Sequence, residues 1–60
     1  MLPQDPVILL SYVNTWLRDH GGSPDDLFAE HGLSVEEGRA VMEKLSTIDY
    51  HYDEEQNRFV

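Results

Sequence analysis

The apolar positions of this 60-residue chain follow a helical rhythm as far as Ile48 and an alternating one after it. In "PVILLSYVNTWLRDH", Ile8, Leu9, Leu10, Tyr12, Val13, Trp16 and Leu17 fall on one arc when the chain turns by about 100° per residue. Ser11, Asn14, Thr15 and Arg18 fill the other side, with Val7 the apolar exception. Asp5 suits the N-cap, Pro6 the first helical position and Gly21-Gly22 the stop, so a helix is predicted over about 6–20. Its apolar arc spans roughly 200°, twice what a surface helix needs. Such a helix is either the centre of the core or has a second face to cover.

A second helix is predicted over about 24–31, with Ser23 as cap, Pro24 next, and Asp26 completing a Ser-x-x-acid start. Gly32 ends it in a left-handed turn that folds Leu33 back on Phe28. The third runs over about 35–48 from a capping box of Ser34 and Glu37, with Val35, Val41, Met42, Leu45 and Ile48 expected on the core. Gly38 lies on that stripe at a cost of about 1 kcal/mol relative to alanine. It is either tolerated weakness or a close approach of another backbone. In "YHYDEEQNRFV", Tyr50 and Tyr52 point one way and His51 the other. Arg58-Phe59-Val60 then pairs back across a polar loop of roughly five residues, with Asn57 suited to a left-handed position. A hairpin this short does not hold alone, so Tyr50, Tyr52 and Phe59 must rest it on the helices. The expected fold is mainly α (α+β): a single domain over 1–60, a three-helix helix-turn-helix bundle with a C-terminal β-hairpin over about 50–60, in minimal winged-helix outline.

At this length only about 60% of the unfolded chain's surface is buried on folding, so stability is tight. There is no cysteine, hence no disulfide or thiolate metal site to help, and packing or oligomerisation must supply the margin. The N-terminus "MLPQDPVILLSYV" has no basic residues before an apolar run too short for a bilayer. The expectation is a complete, cytoplasmic protein that does not engage membranes.

Two resemblances rest on quoted residues. "SPDDLFAEHGLS" followed by "VEEGRAVMEKL" is similar to the helix-turn-helix of winged-helix bacterial repressors: Leu27, Gly32, Leu33, Ser34, Arg39 and Leu45 match, whereas Gly38 stands where that pattern has a branched apolar residue. This resemblance implies a short helix, a recognition helix and a wing. "LPQDPVILLSYVNTWLRD" and "YHYDEEQNRFV" resemble a family of short bacterial proteins classed as a domain of unknown function. That resemblance implies a cytoplasmic bacterial protein of independent existence, and it brings no activity, ligand or catalytic residue.

Charge then weighs against the function a helix-turn-helix evokes. The chain has 12 acidic residues and 4 basic ones, a net charge of −8. Nucleic-acid affinity comes from neutralising phosphates, and Arg18, Arg39, Lys44 and Arg58 are scattered. Only Arg39 and Lys44 share the third helix, whose first turn carries Glu36 and Glu37. Asp49, His51, Asp53 and Glu55 alternate faintly like a calcium loop, but Glu54 and Val60 stand where glycine and glutamate are required. His20 and His31 suit helix C-termini. Ser11, Ser23, Ser34 and Ser46 have no nucleophile context, so no catalysis, cofactor or metal is expected. The sequence reads as a non-enzymatic module for protein interaction, as a homodimer or with a protein partner. Its contact surface is expected on the first helix at Val7, Ile8, Leu10, Tyr12 and Leu17. The alternatives are a DNA-binding regulator contacting DNA through Arg39 and Lys44, or an acidic DNA mimic.

Overall fold

Each helix is bounded by side chains that satisfy its own free backbone groups. The structure, a computed structural model, describes residues 2–60. Helix α1 (Pro6–His20) starts where the Asp5 carboxylate accepts the N–H groups of Val7 and Ile8, at 2.8 and 3.3 Å. It stops where left-handed Gly21 donates to the Leu17 carbonyl at 2.9 Å. Helices α2 (Pro24–Glu30) and α3 (Val35–Ser46) both open on full capping boxes, Ser23 with Asp26 and Ser34 with Glu37. Between them Gly32 takes a φ of 68°, and the Leu33 N–H returns to the Phe28 carbonyl at 2.9 Å.

Helix α3 ends at Ser46, short of the predicted Ile48, because Asp49 enters the left-handed region at φ 64°. The Tyr50 N–H then closes on the Leu45 carbonyl at 3.1 Å. Strands β1 (Tyr52–Asp53) and β2 (Arg58–Phe59) form an antiparallel hairpin pairing Tyr52 with Phe59 and Asp53 with Arg58. His51 and Val60 extend the ladder by two further bonds, 3.0 and 2.9 Å. The turn is four residues, Glu54 to Asn57, and Asn57 takes the expected left-handed φ of 52°. The protein is therefore mainly helical α+β: three helices followed by a two-stranded hairpin.

Helices α2 and α3 and strand β2 all pack on α1. Of its wide apolar arc only the middle line, Leu9, Val13 and Leu17, is fully buried, and it meets Leu27 and Phe28 of α2, Leu45 of α3 and Phe59 of β2. Helix α1 is thus the centre of the core and still keeps an open face. Phe59 is not held by apolar contact alone. The Asn14 side chain accepts the Phe59 N–H at 2.8 Å and donates to the Phe59 carbonyl at 3.1 Å. Asn57 donates to the Gly22 carbonyl at 2.9 Å while accepting from the Tyr52 hydroxyl. Two asparagines therefore fix the hairpin along α1, a role the sequence pattern gave to aromatics. Tyr52 does pack on the core, but Tyr50 stays 37% exposed and outside it.

Two expectations for α3 are corrected. Val35 is 79% exposed, because it lies about 60° round the helix from Gly38 and the space on that side belongs to Phe28. At Gly38 the close neighbour is a side chain, not a backbone: a Cβ there would sit 2.8 Å from Cδ2 of the Phe28 ring.

Two predictions follow from these contacts. Replacing Asn14 by Ala strands the backbone groups of half-buried β2 and is expected to cost about 1–3 kcal/mol. Thermal unfolding checks this at about 4–8 °C of Tm per kcal/mol, and a melt like that of the wild type means Phe59 holds the hairpin unaided. Gly38→Ala should destabilise: overpacking against Phe28 costs about 1–3 kcal/mol against a helix-propensity gain of about 1 kcal/mol. In a Phe28→Leu background the same change should raise Tm, and a rise in the wild-type background would show that the ring gives way.

Candidate functional site

The first three turns of α1 contain no charged residue between Pro6 and Leu17, in a chain of which 27% is charged. On their outer face Val7 is 65% exposed and Ile8 59%, with Ser11 and Thr15 small and exposed beside them. Tyr12, 38% exposed, stands on one edge of this face, and Leu10 on the other is half-buried against the core. Leu17, expected at that second edge, belongs to the core instead. Strand β2 runs back along α1 from Gly22 to Asn14, and Phe59 covers the line on which Leu17 lies. The hairpin thus closes one end of the edge and leaves Val7 open at the other.

The seam between α1 and α2 carries polar chemistry at four-residue spacing. The Tyr12 hydroxyl shares a 3.0 Å hydrogen bond with Nε2 of His31. Trp16 Nε1 donates to Glu30 at 3.0 Å, and the His20 ring stacks on the Trp16 indole with centroids 4.2 Å apart. His20 Nδ1 in turn donates to the Trp16 carbonyl at 3.0 Å. Both histidines act as local fasteners at helix ends. Among the described residues no group of three His, Cys, Asp or Glu side chains is placed to hold a metal ion. Nor is any helix among them long and apolar enough to cross a membrane.

The residues named for DNA contact do not share a surface. Lys44 donates to both the backbone carbonyl and the side-chain oxygen of Gln4, each at 3.2 Å, and so ties the N-terminal segment to α3. Arg39 lies about 140° away round the same helix. Arg18, paired with Asp19 at 3.1 Å, and Arg58 line a cleft of about 460 Å³ between α1 and the hairpin, so two of the four basic groups meet there. Beside Lys44, a cleft of about 450 Å³ is lined by Leu2, Leu9, His31, Leu33, Glu37 and Val41. The Ser34 backbone N–H, and secondarily its hydroxyl, hold the Glu37 carboxyl below the ordinary carboxylate range. Glu37 is thus the anionic partner of a cap, kept charged by the helix start it stabilises.

A third concavity, of about 540 Å³, lies between α2 and α3 over Phe28, Leu33, Val35, Gly38 and Met42, with Asp25 and Arg39 at its rim. The sequence pattern missed it by assigning Val35 and Met42 to the core. One signal was present. Gly38 occupies the fourth helical position of α3, where a side chain normally packs against the residue before the N-cap, here Leu33. With no side chain to meet, Leu33 stays half-buried and faces this groove.

Neither a curated protein nor a solved structure matches the chain. A family model does, over residues 3–59, a range that takes in all five elements and all but the outermost residue of each terminal motif. The chain belongs to the family described as Domain of unknown function (DUF4250).

Proposed function

We propose that this domain works through protein contacts, without catalysis, and that the outer face of α1 joins it to a second copy of itself. The observation that carries the reading is the charge-free stretch from Pro6 to Leu17 with Val7 and Ile8 exposed. Two chains of net charge −8 repel each other, and this face is where a second copy meets no carboxylate while apolar surface leaves water. Ser11 and Thr15 between the large side chains allow two helices to approach closely, and a two-fold pairing lets each copy cover the same patch on the other. The non-catalytic half of the reading draws support from the serines: the hydroxyls of Ser23 and Ser34 are engaged in capping boxes.

Sedimentation across a wide concentration range tests the pairing. Association should strengthen as salt screens the repulsion, and Val7→Ser with Ile8→Ser should abolish it. The variant should keep its fold, because such exposed substitutions change stability by only about 0.5 kcal/mol. A wild-type chain that stays monomeric at high concentration and high salt overturns the reading.

Nucleic acid is not a partner of the isolated chain in this proposal. Arg39 and Lys44 point to different sides of α3, and each phosphate neutralised would need its own cation. Fluorescence anisotropy with mixed-sequence duplex DNA should show no binding at about 150 mM salt. Micromolar binding that falls steeply with salt and disappears on Arg39→Ala and Lys44→Ala would establish the regulator reading instead.

A further inference from the structure

We infer that the groove between α2 and α3 receives the apolar stripe of a basic amphipathic helix from another protein. The inference builds on the reading of this chain as a protein-contact domain and assigns it a surface separate from the outer face of α1. Its first support is that the core reaches solvent here. Leu9, Val13, Leu17, Leu27, Leu45 and Phe59 are at most 1% exposed, whereas Phe28 is 8% exposed and forms the floor of the groove. The missing side chain at Gly38 lets that ring lie against the α3 backbone, leaving a trough with apolar walls: Leu33 and Met42, both half-buried. Val35 stands on its lip, 79% exposed, and extends the apolar wall of Leu33 and Met42 out to solvent as one patch. A trough of about 540 Å³ takes several large side chains, the kind a helix projects at i, i+3, i+4 and i+7.

Charge selects the partner. Asp25 lines the groove from α2, while Glu36 and Glu43 flank Arg39 on α3 at the i−3 and i+4 positions. The lining itself carries one carboxylate, Asp25, and one guanidinium, Arg39, so the negative sign around the groove comes from Glu36 and Glu43 outside it and from the whole chain's net charge of −8. A helix with lysines or arginines beside its apolar stripe is attracted by that field, whereas another copy of this acidic chain is repelled.

The test uses a labelled helical peptide of leucine and lysine with leucines at i, i+3, i+4 and i+7, and a scrambled peptide of the same composition. At about 150 mM salt the patterned peptide should bind at least ~10-fold more tightly than the scrambled one. Amide shifts on binding should centre on Phe28, Leu33, Val35 and Met42. Val35→Ser with Met42→Gln, checked for an unchanged fold, should weaken binding about 10-fold. Arg39→Glu should strengthen it more than Arg58→Glu, which makes the same charge change on the hairpin. Val7→Ser with Ile8→Ser should leave peptide binding intact, so failure of self-association and failure of this groove are read separately. Equal binding of both peptides, or equal effects of the two arginine changes, would reduce the contact to net charge and overturn the proposal. So would loss of self-association in the Val35 and Met42 variant, which would make a second copy the occupant.

Discussion

The fold depends on how Phe59 is held against α1. Each strand of the hairpin has two residues, too few to persist on backbone pairing alone, and the aromatic at its end fills the core between three helices. Asn14 makes that placement specific by bonding both backbone groups of Phe59, so a residue on the polar side of the helix sets the register of the strand that closes the core. Asn57 fixes the other end of β2 at Gly22, just past the cap of α1. Apolar burial supplies the driving force, which lacks direction, and the two amides supply the direction.

From this arrangement follows the division of α1 into a buried line and an open face. Helices α2 and α3 and strand β2 cover Leu9, Val13 and Leu17, and their combined width does not reach Val7 or Ile8. A second opening arises in α3, where glycine at position 38 admits the Phe28 ring but leaves Leu33 and Val35 without the neighbour they would otherwise have. Both openings come from small, local features in a core too small to absorb every apolar side chain. Two of the chain's carboxylates, Asp26 and Glu37, are engaged in the capping boxes that open α2 and α3.

The sequence by itself determined the elements and most of their ends, the C-terminus of α3 excepted, because those depend on near neighbours along the chain. Asp5, Ser23 and Ser34 cap the N–H groups two or three residues on, Gly21 and Gly32 turn left-handed where a side chain is costly, and Asn57 does so in the hairpin turn. Family membership was legible too, in the two terminal motifs. The open face of α1 was partly legible: an arc of roughly 200° had to leave something uncovered, but periodicity could not say that Leu17 would be buried and Val7 exposed. Only the tertiary structure decided that, since it turns on which side of α1 the hairpin lies, and two asparagines distant in sequence from their partners choose the side. Val35 was misplaced for the same reason. Spacing along α3 puts it near the core stripe, but the room beside Gly38 had been taken by a ring from α2, and competition for a shared volume leaves no trace in a local pattern.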